Sequence, residues 1–412
     1  MQLSKLLSLV LLGVSAVAAQ EQQQTPTGNK SATLVELLTA PNNTLGVSKF
    51  VDLIQSDSGY KPVVDLLSQP GNYTCFIPNN RIMNKILLLW GVYAKSHNLN
   101  ATGYPPANLT IQNLTLADLV SYHVLDDKVK LANMSNYVNV AHSILNKTDV
   151  DLLGTGLPVL IENNATWKQF NNQSWLKANS QYLQYEVGNG NDEADVRYHD
   201  LEASNGYANV ITSVMIPPMS PSIVIPQTDD VEDLADLFMQ HPELAAQLDN
   251  NTNFTFFAPS DRALRNVDLK NMDNDTLKQL ISNHLVEGVY YTTNFTDDAA
   301  SDGSKFNLTT LNNGSLPVSV NSTSNVITLN NTARIVEPNI FFNNGVMHVI
   351  NNILNGTSSS NSTGSSNSTG PAGPASSASS ASVVSSTSSA TSAASDTSAA
   401  TDTSTSTATS TA

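Results

Sequence analysis

The chain has a single cysteine, Cys75, among its 412 residues, so it cannot form an intramolecular disulfide. Many small extracellular domains rely on disulfides, whereas this chain has to be stabilised by the burial of a hydrophobic core. Cys75 lies in an aromatic segment with a high propensity for β-structure. This context predicts a small buried side chain rather than a reactive thiol or an intermolecular link.

Basic residues are scarce as well. The chain has 19 Lys and Arg against 35 Asp and Glu, which gives a formal net charge of −16, and it contains no run of basic residues. Proteins that bind nucleic acids neutralise phosphates with basic patches, so this composition excludes nucleic acid as a partner.

Long apolar runs are missing, apart from one short run near the start. Residues 6–14 are mostly apolar, follow Lys5 and precede small residues that end at Ala19. A membrane span needs about 20 apolar residues, so we interpret residues 1–19 as a secretory signal peptide and predict no transmembrane segment. The last residues are Ser, Thr and Ala, which gives no signal for a glycosylphosphatidylinositol anchor. The predicted location is therefore secreted, extracellular or in the cell wall.

Signatures of enzymes and metal sites are absent too. The sequence has no nucleophile elbow, no zinc-protease motif, no P-loop and no dinucleotide-binding motif. Its seven histidines show no metal-ligand spacing. We therefore predict no enzyme activity, no catalytic residue, no cofactor and no metal. The acidic residues between 229 and 236 are interpreted as a solvated helix face, and residues 189–195 as a flexible loop.

Sequons for N-linked glycosylation are abundant, with 21 Asn-x-Ser/Thr matches. Together with the signal peptide, they predict a glycoprotein. The preferred candidates are Asn42, Asn108, Asn113, Asn164, Asn274, Asn294, Asn307 and Asn330. Residues 356–412 are rich in Ser and Thr and have almost nothing to bury, so they are predicted to form a disordered tail, interpreted as an O-glycosylated stalk or spacer.

Three short motifs occur twice in the same order, which indicates a duplicated domain. The pairs are residues 73–81 and 254–262, residues 119–123 and 280–284, and residues 205–211 and 344–350. The predicted domains are residues 31–220 and 221–355. Each copy opens with a helical pattern, and the later part favours strands, including a hairpin over residues 316–329. Residues 228–230 are predicted to cap the helix near Leu234. The glycines of the two Asn-Gly pairs are predicted to have positive φ.

The two copies differ in length. The first carries two insertions, near residues 90–107 and 167–200, which hold all three tryptophans. Aromatic residues in insertions either form a contact surface or fold down over the domain. Trp90, Trp167 and Trp175 are thus candidates for glycan contacts, which is the basis of an alternative function as a small-ligand or glycan-binding module.

The repeated motifs resemble those of the fasciclin-like domain. The matches are its Thr-x-Phe-x-Pro strand at residues 74–78 and 255–259, its Tyr-His pair at Tyr122 and His123 with Asn283 and His284 in the second copy, and its Asn-Gly-x-x-His-x-Ile block at residues 344–350. The first copy departs from that block, because it has Asn209 in place of the histidine.

The resemblance implies an α+β protein made of two tandem fasciclin-like domains, each a wedge or β-sandwich of about seven strands with packed helices. It also implies a non-catalytic role in cell adhesion or in matrix and wall contacts, as in secreted or cell-wall proteins of fungi. The partners would be cell-wall or matrix components, cell-surface proteins or glycans, or other copies of the chain. Tyr122, His123 and His284 are the candidate adhesion motif, although their apolar surroundings also favour internal packing.

Overall fold

The computed structural model describes residues 26–354, apart from positions 42, 100–102, 112, 135–136, 164–183, 302–304 and 322–325. The predicted signal peptide and tail lie outside the described residues. Each repeat begins with helices and continues into a sheet, so the predicted α+β class is confirmed. The helices are α1 (Leu34–Thr39), α2 (Ser48–Ser56), α3 (Lys61–Leu67), α4 (Asn80–Ser96), α5 (Leu116–Tyr122), α6 (Pro221–Val224), α7 (Glu232–Gln240), α8 (Pro242–Asn250), α9 (Asp261–Leu264), α10 (Asn274–Asn283) and α11 (Thr292–Ser301).

Strands of the first repeat form a seven-stranded sheet in the order β4-β1-β9-β8-β7-β6-β5. These strands are β1 (Tyr73–Pro78), β4 (Val124–Leu125), β5 (Val138–His142), β6 (Pro158–Asn163), β7 (Tyr185–Gly188), β8 (Glu193–Ala203) and β9 (Gly206–Ile211), while β2 (Thr110–Ile111) and β3 (Leu114–Thr115) pair separately. Only β1 and β9 run parallel. An antiparallel bridge between Leu125 and Ser143 joins the two edges, so the sheet is nearly closed and its edges are protected.

The second repeat has the same topology. Its strands are β10 (Phe254–Pro259), β11 (Leu285–Glu287), β12 (Lys305–Thr309), β13 (Ser315–Val320), β14 (Ile327–Leu329), β15 (Ala333–Phe342) and β16 (Gly345–Ile350). They follow the order β11-β10-β16-β15-β14-β13-β12, and a bridge between Val286 and Thr310 joins the edges. The predicted hairpin is confirmed as the antiparallel pair β13 and β14.

Side chains alternate across each sheet, and this alternation builds two apolar clusters in each repeat. Along β1, Cys75 and Ile77 pack against the helices, whereas Phe76 packs on the opposite face, inside the curled sheet. Phe256 and Phe257 divide in the same way in β10. Cys75 is therefore a core residue that takes the place of Phe256, as its sequence context predicts.

Cys75 is expected to be unreactive in the folded protein, because it is only 2% exposed and burial raises its pKa well above the ordinary value. A chromogenic aromatic disulfide should titrate no thiol under native conditions and a full equivalent after unfolding. Cys75→Val is the matched control and should change the free energy of unfolding by less than about 1.5 kcal/mol. Rapid labelling of the native protein, or a covalent dimer on a non-reducing gel, would contradict this assignment.

Helix α2 forms where the apolar spacing predicts it and buries Phe50, Val51 and Ile54. Helix α7 also forms as predicted, but its predicted cap is wrong. The residue before the helix is Val231, which has no capping side chain, and the Asp261 carboxylate accepts the hydrogen bond of the Asp233 N–H at 2.8 Å instead. The Thr228 hydroxyl, one of the predicted caps, donates to the Val224 carbonyl at 3.1 Å.

The prediction of a positive φ is correct for Gly206, which has φ +158°, and wrong for Gly345, whose φ is not positive. Both glycines are needed for another reason, since each begins a strand that runs parallel to its neighbour at close range. A Cβ atom at Gly206 would lie 1.9 Å from the Tyr73 carbonyl oxygen, and one at Gly345 would lie 2.4 Å from that of Phe254.

The first insertion contributes a long helix. Helix α4 has 17 residues, whereas its counterpart α9 in the second repeat has only four. Asn79 caps α4 by accepting a hydrogen bond from the Ile82 N–H at 3.1 Å. Ile82, Met83 and Trp90 form part of its buried face. Of the second predicted insertion, residues 167–183 lie outside the described part of the chain, and the rest forms β7 and most of β8.

The two repeats pack against each other through an apolar cluster. Val138 and Leu160 of the first repeat meet Phe341 and Val346 of the second, and all four are at most 2% exposed. The Phe341 N–H donates to the Asn189 carbonyl at 2.8 Å, so a backbone hydrogen bond crosses the same interface.

Gly190 lies at a close approach between the two repeats. It has φ +87°, and a Cβ atom there would lie 1.9 Å from the Asn339 carbonyl oxygen of the second repeat. The loop after β7, interpreted from sequence as flexible, is thus held between the repeats. Asn189 is only 5% exposed and donates through Nδ2 to the Ile216 carbonyl at 3.0 Å.

Gly190→Ala is expected to weaken the coupling between the repeats and to lower the free energy of unfolding by about 2 kcal/mol. The added methyl group requires the Asn339 backbone to move, so a single calorimetric transition should split into two. Gly154→Ala is the control, because Gly154 has φ +73° and open space around its Cα. If both substitutions lower the free energy of unfolding equally, the effect of Gly190→Ala comes from backbone strain alone and not from the contact with Asn339.

Candidate functional site

The Tyr-His pair lies at the end of helix α5. A reciprocal capping box starts this helix, in which the Asp118 N–H donates to Thr115 Oγ1 at 3.1 Å and the Thr115 N–H donates to the Asp118 carboxylate at 2.9 Å. Tyr122 is the last helical residue, and His123 connects the helix to strand β4. The pair therefore occupies the point where a helix changes into an edge strand.

Both side chains of the pair are internal. Tyr122 is 0% exposed, and its hydroxyl donates to the Pro158 carbonyl at 2.8 Å, which ties α5 to β6. His123 Nε2 accepts a hydrogen bond from the Met215 N–H at 3.0 Å. Because a backbone N–H can only donate, the proton of the neutral ring is on Nδ1, which donates to the Leu119 carbonyl at 2.7 Å. His123 thus links the end of α5 to the segment that follows β9.

His284 repeats this arrangement in the second domain. Its Nδ1 donates to the Leu280 carbonyl at 2.7 Å, and its Nε2 accepts from the Leu354 N–H at 2.9 Å. Leu354 follows β16 as Met215 follows β9, so each histidine holds the chain where it leaves the sheet. Asn283 replaces the tyrosine and accepts a hydrogen bond from the Asn312 side chain at 3.0 Å, so the second repeat has no equivalent of the Tyr122 anchor.

The environment keeps these imidazoles neutral. Burial lowers the pKa of His123 and of His284 to about 4, and the hydrogen bond to the helix carbonyl offsets this effect only in part. Neither ring reaches the molecular surface in the described structure. The internal packing that their sequence context favours is confirmed, and the chemistry available to them is the positioning of backbone segments.

A third buried histidine, His348, shows what Asn209 replaces in the closing motif of the first repeat. His348 Nδ1 accepts from the Asn339 N–H at 3.1 Å, and Nε2 donates to the Tyr290 carbonyl at 2.8 Å. In the first repeat, Asn209 Oδ1 accepts from the Asp200 N–H at 2.9 Å, which is the same contact at the same position of the sheet. Asn209 can therefore accept the backbone hydrogen bond that the histidine accepts, but it does not replace the hydrogen bond that the histidine donates.

The aromatic candidates for glycan contacts are only partly described. Trp90 is 6% exposed and packs in the buried face of α4, which makes its ring unavailable for stacking on a sugar. Trp167 and Trp175 lie outside the described residues. A small apolar cavity of about 10 Å³ lies beside Cys75 and His123, and a space of this size and polarity suits neither a ligand nor an ordered water.

The described sequons lie at the surface. Exposed asparagines occur at Asn108, Asn113, Asn274, Asn294 and Asn307, and Asn330 is half-buried with φ 48°. Asn42 and Asn164 lie outside the described residues. The accessible positions belong to both repeats, so glycans at these sites would surround the domain pair.

One group of carboxylates has no signature in the sequence. Glu162, Glu186 and Glu193 lie on three neighbouring strands, and one oxygen of each lies within 4.8 Å of the others. The strand register brings Glu162 directly opposite Glu186, which no local sequence signal reveals. Oxygen ligands of this kind suit a hard cation such as Ca²⁺. Each residue already has another interacting group, so we assign no metal site here.

Comparisons with known proteins identify the family of the chain. No helix in the described part of the chain has the length and apolar character of a membrane span. No curated protein gives a significant match. Among solved structures, the chain is similar to a FAS1 domain pair from the insect cell adhesion molecule Fasciclin I, with 18% identity and a TM-score of 0.34 over 75% of this chain and 96% of that one. The Fasciclin domain family matches residues 45–217 and 229–355, which contain the two seven-stranded sheets, so the chain belongs to this family and carries two of its domains in tandem.

Proposed function

We propose that this chain is a non-catalytic extracellular or cell-wall glycoprotein that mediates adhesion or matrix contacts through its outer surfaces. Fasciclin domains are associated with cell adhesion and with extracellular proteins. The observation that carries the proposal is the packed interface between the repeats. Since Val138, Leu160, Phe341 and Val346 are buried together, the two domains present their outer faces as a pair. Paired modules bind more strongly than single ones, because the first contact raises the effective concentration for the second.

The Tyr-His motif has a positioning role in this proposal. Tyr122, His123 and His284 hold helix ends and chain exits from within the fold, so they contribute by keeping the outer surfaces in shape. The predicted signal peptide and the exposed sequons support an extracellular location and a glycan coat. The predicted tail would extend the domain pair from the wall or hold it there.

The proposal can be tested with the full chain expressed in a secreting eukaryotic host. We expect the protein in the medium or the wall, with a mobility shift after enzymatic deglycosylation. Beads coated with it should attach to cells, wall polymers or matrix proteins, whereas beads coated with an unrelated secreted glycoprotein should not. Intracellular retention without glycans, or beads that bind no more than the control, would overturn the proposal.

A further inference from the structure

The outer face of helix α4 combines exposed apolar and basic side chains. Leu88 is 70% exposed and Val92 is 55% exposed, and the two are one turn apart. Lys85 precedes Leu88 by three residues and Lys95 follows Val92 by three residues, so helical geometry places all four on one stripe. Leu88 and Val92 thus form a small exposed apolar patch that is flanked by two lysines. We call this stripe the α4 face.

The α4 face lies in a stretch of this acidic chain whose only charged side chains are basic. No Asp or Glu occurs between positions 66 and 117, although the net charge of the whole chain is −16. Arg81, Lys85 and Lys95 form no salt bridge with any residue in the described part of the chain. Their charges are therefore available to an anionic partner.

Helix α7 of the second repeat has the complementary character. Glu232, Asp233 and Asp236 are exposed, and Met239 at the end of the same face is 66% exposed. None of these carboxylates forms a salt bridge with a described basic residue. We call this set the α7 face.

Carboxylates crowd one another at the α7 face. A hydrogen bond to Asp261, with the negative charges of Asp261 and Asp230, raises the pKa of Glu232 above its ordinary value. The negative charges of these neighbouring carboxylates repel one another, and basic side chains placed against them would relieve the repulsion. Both faces thus carry charges that lack a counter-charge and an apolar residue that lacks a cover.

We propose that the α4 face of one molecule binds the α7 face of a second copy of the same chain. Lys85 and Lys95 would pair with the carboxylates of α7, while Leu88 and Val92 cover Met239. The inference rests on the adhesive function proposed above, because it names a partner for that function. The contact is heterologous, so each molecule can bind one neighbour through α4 and another through α7, which generates open chains rather than closed dimers.

A second copy accounts for more of the surface than the other partners do. An anionic lipid surface would suit the basic and apolar α4 face, but it would leave the acidic α7 face with its exposed methionine unexplained. The contact between the α4 face and the α7 face places lysines against carboxylates and apolar side chains against each other. This electrostatic complementarity makes the contact specific.

The test uses charge reversal on each face of the full-length secreted protein. One variant carries Lys85→Glu with Lys95→Glu, and the other carries Asp233→Lys with Asp236→Lys. Sedimentation velocity over a concentration series should show self-association of the wild type that weakens in high salt. Each variant alone should self-associate about tenfold more weakly or worse, because it opposes like charges. An equimolar mixture of the two variants should associate again, because each reversed face meets its reversed counterpart.

Lys270→Glu with Lys278→Glu is the matched control, since it makes the same charge change at exposed positions of the second repeat. This control should self-associate like the wild type. A monomeric wild type, a reversed variant that still associates, or a mixture that stays monomeric would overturn the inference. Binding of the wild type to vesicles of anionic lipid without self-association would also overturn it, in favour of a lipid partner.

Bead attachment separates this inference from the proposed function. If beads coated with the Lys85→Glu and Lys95→Glu variant attach to cells or matrix as wild-type beads do, the adhesive function stands and this interface is wrong. If the wild type self-associates as described but its beads attach to nothing except each other, the interface stands and the contact with wall or matrix is wrong.

Discussion

Acidification from pH 6.5 to pH 4 is expected to lower the free energy of unfolding by up to about 3 kcal/mol for each buried histidine. Burial lowers the pKa of His123, His284 and His348 from 6.5 to about 4. Below pH 6.5 the unfolded chain therefore binds protons that the folded chain does not. The stabilisation is fully present above pH 6.5 and is lost as the pH falls towards 4. Urea unfolding at several pH values across this window measures the slope directly.

His348→Asn provides the sharpest control for this prediction, because the first repeat already has Asn209 at the equivalent position. The variant retains an acceptor for the Asn339 N–H but removes one titrating group. The number of protons taken up on unfolding in this pH window should therefore decrease by one. If the free energy of unfolding of the His348→Asn variant depends on pH as steeply as that of the wild type, the assignment of His348 as a buried neutral histidine is wrong.

The duplication made much of the fold predictable. Motifs at equivalent places marked β1 and β10, the two helix-to-strand junctions and the closing strands β9 and β16. What the motifs do could not be inferred from their sequence. The Asn-Gly pairs favour a turn with positive φ, whereas their glycines allow two parallel strands to approach. The partner residue on the neighbouring strand is 133 positions away for Gly206 (Tyr73) and 91 positions away for Gly345 (Phe254), so no local pattern contains it.

The insertions illustrate the same limit. Unequal spacing between the motifs located the first insertion, but only the structure shows that it lengthens helix α4 to 17 residues. Its apolar residues lie on several sides of the helix, so the sequence does not tell which of them are covered. Trp90 is buried, whereas Leu88, two positions earlier, is the most exposed large apolar residue described.

The loop after β7 was misinterpreted for a related reason. Residues 189–192 are polar and contain a glycine, a composition typical of a mobile loop. In the structure, the second repeat supplies the contacts that hold it, through Phe341 and Asn339. The histidines were interpreted correctly as internal residues, because apolar neighbours on the same helix or strand indicate burial.

Asn205→Ala is expected to lower the free energy of unfolding by about 4 kcal/mol or more. Asn205 is 1% exposed and satisfies three backbone groups: its Oδ1 accepts from the Leu34 N–H at 2.8 Å, and its Nδ2 donates to the Leu67 and Gln69 carbonyls, each at 2.8 Å. A buried polar group left without a partner costs about 1–3 kcal/mol, and the substitution leaves three such groups. Urea unfolding monitored by tryptophan fluorescence and by circular dichroism measures the loss.

The second repeat and the surface supply the comparisons for this prediction. Asn344→Ala should have a similar effect, because Asn344 Nδ2 donates to the Leu248, Asp249 and Asn251 carbonyls at 2.7–3.3 Å. Asn266→Ala, at an exposed position, should change stability by less than about 0.5 kcal/mol. If Asn205→Ala costs no more than Asn266→Ala, the hydrogen bonds of the motif do not stabilise the fold. A large loss at both Asn205 and Asn344 would mean that the repeated Asn-Gly motif is kept because it fastens the helices of each domain to its sheet.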